Sequence, residues 1–86
     1  MIDIQYFASV RERLGCESEQ VDVAELQGQV SVADLLALLA RRHGERGQRA
    51  LLEARVLAAV NQVVADAATR VQDGDEVAFF PPVTGG

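Results

Sequence analysis

The chain has 86 residues and a formal net charge of −5, with 49% apolar and 24% charged residues, which predicts one small globular domain with a single core. Its eight cations are all arginines and are scattered along the chain, so the sequence predicts no nucleic-acid binding. No apolar run is long enough to span a bilayer, so we expect no membrane association.

The start of the chain and its cysteine content bear on the compartment and on metal binding. The opening residues read as a strand and carry no signal-peptide pattern. The single cysteine, Cys16, cannot form an internal disulfide, which suits a reducing compartment. We therefore expect a cytoplasmic protein. No Cys/His group has the sequence spacing of a zinc site, so we predict no metal site and no bound cofactor.

The first part of the chain predicts two strands and a short helix. Residues 2–8 alternate in polarity, with one apolar face formed by Ile2, Ile4 and Tyr6. Residues 9–15 predict a short helix closed by Gly15. Val21 and Val23 alternate with polar neighbours and predict a second strand. Because the connection is short, this strand is expected to pair antiparallel with the first.

The strongest helix signal begins at Ser31. Ser31 and Asp34 have the spacing of a capping box. Apolar residues then recur at helical spacing, at Val32, Leu35, Leu36 and Leu39. Gly44 is expected to end the helix, and His43, the only histidine, is expected to cap it on the surface rather than to act in catalysis.

The second half of the chain predicts further strands and turns. Residues 45–54 indicate a loop with one or two helical turns. Residues 55–61 predict a strand, and a turn at Asn61-Gln62 leads into a short returning strand at 63–64. The acidic cluster Asp73, Asp75 and Glu76 suggests a metal site, but Gly74 and the turn geometry favour a solvated turn at residues 73–75.

The order of elements predicts an α+β fold. The last strand, Glu76 to Phe80, should direct Val77 and Phe79 toward the helix and Phe80 away from it. One mixed sheet with a main helix packed on one face suits a ubiquitin-like β-grasp, in which the first and last strands are parallel neighbours. We predict a domain over residues 1–80 and an extended tail over residues 81–86.

The tail "PPVTGG" has a distinctive construction. Pro81 and Pro82 lack N–H groups and end the sheet, so the chain leaves it as an extended stalk of roughly 20 Å, at about 3.3 Å per residue. Val83 and Thr84 extend this thread, and two glycines, Gly85 and Gly86, make its tip thin. The carboxylate of Gly86 must be activated before a nucleophile can attack it, which indicates a substrate of other enzymes. The alternative is a terminus without a function.

Three segments of the sequence carry a family resemblance. "DGDEVAFFPPVTGG" (Asp73–Gly86) closely resembles the C-terminus of the MoaD family, the small sulfur-carrier subunits of molybdopterin synthase. "LAAVNQ" (Leu57–Gln62) and "YFASVRERLG" (Tyr6–Gly15) match the family pattern at the expected places. The resemblance covers nearly the whole chain.

The resemblance implies a mechanism. An E1-like adenylyltransferase uses ATP to adenylate Gly86, and a sulfur donor protein converts the adenylate to a thiocarboxylate. The tail then enters the active site of the large synthase subunit and delivers sulfur to cyclic pyranopterin monophosphate, which forms the dithiolene of molybdopterin. Two carriers serve each product, in a heterotetramer whose catalytic side chains lie on the large subunit. The carrier itself is expected to have none.

A docking surface is expected beside the tail. Strand alternation places Phe80 on the sheet face opposite the helix, with Val64 on the same face. Phe7, at the end of the first strand, either joins this surface or caps the core. Arg11 is expected to add an ion pair at its rim.

Three other functions remain open on the sequence. One is a sulfur carrier for another pathway, such as thiamin synthesis, although such chains are usually shorter and lack "FFPPVTGG". Another is a ubiquitin-like protein modifier, which shares the adenylation step. Because the chain has no lysine, it cannot form lysine-linked polymers of itself, but it can still be attached to other proteins. The last is a plain binding module.

Overall fold

The computed structural model describes residues 1–28 and 30–82. The first half contains β1 (Ile2–Tyr6), α1 (Ala8–Leu14), β2 (Ser18–Val21), a 3₁₀ turn (Val23–Leu26) and α2 (Val32–Arg42). The second half contains α3 (Gly44–Gly47), a π-helical segment (Gln48–Glu53), β3 (Leu57–Val60), β4 (Val63–Ala65) and β5 (Glu76–Phe80).

The five strands form one mixed sheet in the order β2-β1-β5-β3-β4. The first and last strands, β1 and β5, are parallel neighbours in its centre, and the other three pairings are antiparallel. This topology confirms the prediction of an α+β, ubiquitin-like β-grasp fold. Because β5 is held on both sides, the point at which the tail leaves the sheet is fixed by two neighbouring strands.

The core lies between the sheet and the helices. Alternation buries every second side chain of β1 and β5, as the sequence predicted, including Ile4, Tyr6, Val77 and Phe79. The helices bury apolar side chains against this face, among them Val10, Leu14, Val32, Leu35, Leu39 and Leu51. Burial of these side chains contributes about 1.5–3 kcal/mol each and drives the packing of the helices on the sheet.

The predicted start of α2 is confirmed. The Ser31 hydroxyl accepts from the Asp34 N–H at 3.1 Å, and the Asp34 carboxylate accepts from the Ser31 N–H at 3.1 Å, which completes the capping box. The helix ends at Arg42 with His43 as its C-cap residue, and Gly44 follows with a φ of 64°. The left-handed conformation of Gly44 explains why a glycine stops the helix at this place.

The predicted turns also form. Asn61 and Gln62 both have positive φ and join β3 to β4, and the Asn61 side chain bonds the β5 backbone at Glu76. Asp75 accepts from the Gln72 N–H at 2.8 Å and holds the turn before β5. The short helix α1 ends at Gly15, as expected.

The second strand lies earlier in the chain than predicted. It spans Ser18–Val21, and Val23 begins a 3₁₀ turn instead of continuing the strand. The Asp22 carboxylate accepts from the Ala24 N–H at 3.0 Å and forms a capping box with Glu25. This local cap competes with strand pairing and ends β2. The predicted antiparallel pairing with β1 is confirmed.

Residues 44–53 are helical throughout, where a loop with one or two helical turns was expected. The segment buries Gly47, Ala50 and Leu51 against the rest of the core. Tertiary packing therefore overrides its weak apolar periodicity.

The first and third strands are shorter than predicted. The first ends before Phe7, which is the N-cap residue of α1, and β3 begins only at Leu57.

In the described part of the chain, every helix is too short or too polar to cross a bilayer.

Candidate functional site

The tail leaves the sheet at the end of β5. Phe80 is the last strand residue, and the partly buried Pro81 and Pro82 follow it directly. Because a proline has no N–H to donate, the ladder with the neighbouring strands stops there. The predicted tail residues Val83, Thr84, Gly85 and Gly86 lie outside the described residues, so their expected roles stay predictions.

Two aromatic residues flank the point of exit. Tyr6 pairs with Phe79 across the parallel strands, so the next residues, Phe7 and Phe80, occupy adjacent positions on the opposite sheet face. The Phe7 N–H bonds the Phe79 carbonyl at 3.0 Å, and the Phe7 side chain is 44% exposed. Phe7 therefore does not cap the core. On its other side, Phe80 pairs with Leu57 of β3.

A second row of apolar residues lies beside the first. Ala78 of β5 pairs with Ala59 of β3, and Ala59 pairs with Val64 of β4. We call these two rows the outer patch; it comprises Phe7, Leu57, Ala59, Val64, Ala78 and Phe80. The helices cover the other face of the sheet. A continuous apolar surface of this kind beside a tail is typical of a protein-binding site.

The structure places the four predicted partner-binding residues on or beside this surface. Phe7 and Phe80 are neighbours, and Val64, 73% exposed, lies two strands from β5. Arg11 is exposed on α1 and, together with Phe7, borders a depression of about 160 Å³. The sequence interpretation missed Leu57, Ala59 and Ala78. Strand alternation could have found all three once β3 was paired with β5.

Four polar side chains lie together at the same end of the sheet, on the face that the helices cover. We call them the polar group; it comprises Tyr6, Glu19, Arg42 and His43. The Glu19 carboxylate accepts hydrogen bonds from the Tyr6 hydroxyl at 2.7 Å and from Arg42 at 2.8 Å, and it lies 2.5 Å from His43 Nε2. The expectation of a surface His43 is therefore wrong in part. His43 is the C-cap of α2, but its side chain is only 19% exposed because Tyr6 and Glu19 cover it.

Burial and this hydrogen bonding set the ionisation of the polar group. Burial favours the neutral form of Glu19, but the hydrogen bonds from Arg42, His43 and Tyr6 outweigh it and lower the pKa of the carboxyl group. Burial and the Glu19 carboxylate raise the pKa of the Tyr6 hydroxyl. Glu19 is therefore a carboxylate at neutral pH, held by a protonated phenol.

Cys16 lies in the loop between α1 and β2, beside the polar group. Its Sγ is 3.4 Å from the Ser18 carbonyl and 3.9 Å from Glu19 Oε2. Burial and the nearby carboxylate raise the pKa of the thiol. A protonated thiol is a poor nucleophile, which argues against a sulfur relay through Cys16.

The comparisons with known proteins cover almost the whole chain. The model of the ThiS family matches residues 4–86. The chain belongs to the ThiS family. The "Molybdopterin synthase sulfur carrier subunit" of Escherichia coli is 40% identical over 86 residues, which is 100% of both chains. The protein of the same name from Haemophilus influenzae is 35% identical, again over 100% of both. These relatives confirm the resemblance to the MoaD carriers.

A solved structure has the same fold as this ThiS-family chain. The crystal structure of SAMP1 from Haloferax volcanii is 30% identical, with a TM-score of 0.72 over 99% of this chain and 98% of the other. The ThiS-family match begins within β1 and runs through β5 to the last residue of the tail, so it includes every residue of the outer patch.

Proposed function

We propose that this ThiS-family chain is the sulfur carrier subunit of a molybdopterin synthase. The observation that carries the proposal is the end-to-end similarity, at 35–40% identity, to three proteins of that name. Gly86 is then the site of chemistry, and the folded domain presents the tail to other enzymes. This finer assignment rests on the tail sequence.

The proposed reaction has two steps before sulfur delivery. An E1-like partner transfers AMP from ATP to the Gly86 carboxylate and releases pyrophosphate. A sulfur donor protein then supplies the sulfur that displaces AMP, which leaves a thiocarboxylate. Adenylation is needed because a carboxylate is a poor electrophile. ATP is therefore a substrate of the partner and not a cofactor of the carrier.

Sulfur delivery takes place in the large subunit. The thiocarboxylate attacks cyclic pyranopterin monophosphate there, and hydrolysis of the carrier's acyl group returns the carboxylate. Because two sulfurs are needed for each dithiolene, two carriers act per product. The proposed heterotetramer, with two large and two small subunits, contains this number of carriers. The large subunit supplies the catalytic side chains.

The geometry of the described residues supports this division of work. Phe80 ends a central strand that is paired on both sides, so the tail starts from a rigid point. The outer patch lies beside that point and offers a surface for the large subunit and the E1-like enzyme. Because both partners need the same tail, we expect their binding to be mutually exclusive.

Intact-mass measurement tests the proposal directly. Incubation of the chain with an E1-like partner, ATP and a sulfur donor should raise its mass by one oxygen-to-sulfur exchange. Omission of ATP is the control, because without it no adenylate forms. No such mass increase in the complete mixture would refute the sulfur-carrier assignment.

Deletion of Gly86 tests the role of the tip. We expect the shortened chain to fold normally and to give no molybdopterin when it is combined with the large subunit and the activating enzymes. The full-length chain with Thr84→Ser, which keeps the tail length, is the matched control and should remain active. Normal product formation by the shortened chain would contradict the assignment to Gly86.

A protein modifier is the second candidate. It is favoured by the likeness to SAMP1 of Haloferax volcanii, a small archaeal modifier protein. The two functions share adenylation and differ in the final acceptor. A modifier would appear as lysine conjugates on other proteins, whereas a carrier appears as a free thiocarboxylate. The mass experiment, run in the presence of cell protein, distinguishes them.

A further inference from the structure

Three different metal-binding side chains meet near the end of α2, two of them in the polar group and one beside it. Cys16, Glu19 and His43 each offer one ligand atom, and these atoms all lie within 4.8 Å of one another. Cys16 is the only cysteine of the chain and His43 the only histidine, and the Glu19 carboxylate contacts both. We propose that Cys16, Glu19 and His43 form a zinc-binding site with three protein ligands, independent of the tail chemistry.

The distances suit a zinc ion after small side-chain movements. Zinc bonds of about 2.0–2.3 Å at tetrahedral angles place neighbouring ligand atoms about 3.3–3.8 Å apart. Cys16 Sγ and Glu19 Oε2 are 3.9 Å apart, close to this value. Glu19 Oε2 and His43 Nε2 are 2.5 Å apart and must separate by about 1 Å, which side-chain rotation can supply.

The spacing of the three ligands along the chain is compatible with zinc binding. Cys16 lies in the loop before β2, Glu19 lies three residues later within β2, and His43 follows the last residue of α2. Zinc sites commonly take two ligands that are separated by two to four residues and further ligands from a distant segment of the chain. The sequence concealed this arrangement because one member of the closely spaced pair is a glutamate.

The surrounding contacts orient the carboxylate. The Tyr6 hydroxyl bonds Glu19 Oε2, and Arg42 bonds Glu19 Oε1 at 2.8 Å. The Arg42 contact uses the other carboxylate oxygen, and Oε2 has two lone pairs, so it can accept from Tyr6 and bind zinc at the same time; hydrogen bonds of this kind hold metal ligands in position. Thiolate, imidazole and carboxylate together favour zinc over magnesium or calcium. Zinc must displace the Cys16 proton, and the Arg42 charge opposes the cation, so we expect moderate affinity.

The consequence would be a cross-link in the folded chain. The ion would join the loop before β2 to the end of α2, two segments that are far apart in sequence. Because the three ligands meet only in the folded state, zinc would stabilise that state and raise its melting temperature.

Titration of the reduced, metal-free, full-length protein tests the site. Zinc should bind with a stoichiometry of one ion per chain, measured by competition with a coloured chelator. Cobalt should give an absorption band for thiolate-to-metal charge transfer together with the strong visible bands of tetrahedral coordination. Cys16→Ser and His43→Gln should each weaken zinc binding by about tenfold or more. Glu17→Gln, an exposed carboxylate in the same loop, is the matched control and should bind normally.

Two measurements on the unsubstituted protein decide the question even if a variant fails to fold. Zinc should shift the NMR signals of the single imidazole, His43, and should slow alkylation of the single thiol, Cys16. The proposal is overturned if zinc affects neither group, or if folded Cys16→Ser or His43→Gln protein binds zinc as tightly as the unsubstituted chain. The tail plays no part in these readouts, so they are independent of the proposed sulfur-carrier function.

Discussion

Tyr6 and Phe79 face each other across the parallel strands β1 and β5, with ring centroids 6.2 Å apart and ring planes inclined by 24°. Both side chains are fully buried. The pair anchors the first and last strands in the core. The residue that follows each of them, Phe7 and Phe80, lies on the other face of the sheet beside the tail. In each adjacent pair, one ring is therefore buried in the core and the next lies on the outer patch, where we propose that partners bind.

Truncation of Phe79 and of Phe80 should have different effects on stability. Phe79 has no exposed surface, so Phe79→Ala should lower the free energy of unfolding by about 3–5 kcal/mol. Phe80→Ala should cost much less, because its ring is partly exposed on the outer patch. Urea denaturation measures both. Equal losses would contradict the assignment of the two rings to opposite faces.

A charge on the outer patch should weaken partner binding without unfolding the chain. Val64→Asp places a carboxylate on this surface at a position that is 73% exposed, so stability should hardly change. Affinity for the large synthase subunit, measured by calorimetry, should fall by about tenfold or more, equivalent to ~1.4 kcal/mol.

Val63 provides the matched control for this experiment. It is 69% exposed on the same edge strand, but it pairs with Val60 and so lies on the helix side of the sheet. Val63→Asp should leave the affinity for the large subunit unchanged. If the two substitutions weaken binding equally, the outer patch is not the docking surface.

Gly47 should not tolerate a side chain. A Cβ at this position would lie 2.3 Å from the Ala40 carbonyl oxygen, in the backbone of α2, so the helices would have to separate. Gly47→Ala should therefore lower the free energy of unfolding by about 1–3 kcal/mol or more. The neighbouring Gln48 is exposed, and Gln48→Ala is expected to be nearly neutral. An unchanged denaturation midpoint for Gly47→Ala would show that the close approach of α3 to α2 is absent.

Acid should weaken the start of α2 through Asp34. Hydrogen bonds from the Ser31 side chain and backbone lower the pKa of the Asp34 carboxyl group from 3.8. Its contribution to stability is therefore present above about pH 3.8 and is lost as the pH falls through the lowered pKa. Asp34→Asn should be less stable than the unsubstituted chain at neutral pH, and this difference should shrink below about pH 3.8.

Thermal unfolding measured across this acid range checks the prediction. Glu12→Gln, which removes an exposed carboxylate from α1, is the control and should follow the pH dependence of the unsubstituted chain. A difference between Asp34→Asn and the unsubstituted chain that stays constant to the lowest pH would rule out the carboxylate as its source.

The sequence by itself determined the features that depend on neighbouring residues. The α2 cap at Ser31 and Asp34, the turn at Asn61-Gln62 and the alternation of β1 and β5 all follow from local hydrogen bonding and local periodicity. The tail motif was equally visible, because the chemistry that we propose for it depends on the residue types themselves. The fold class followed from the order of these elements.

Only the tertiary structure decided features that depend on distant contacts. Burial of Ala50 and Leu51 makes residues 44–53 helical despite weak periodicity. Strand register brings Leu57 beside Phe80 and completes the outer patch. Contact of the end of α2 with β2, through Arg42, brings His43 to Glu19 and Cys16, although 24 residues separate His43 from Glu19 in the chain. Sequence spacing reports local geometry, whereas such a group forms only when the sheet and helix enclose one core.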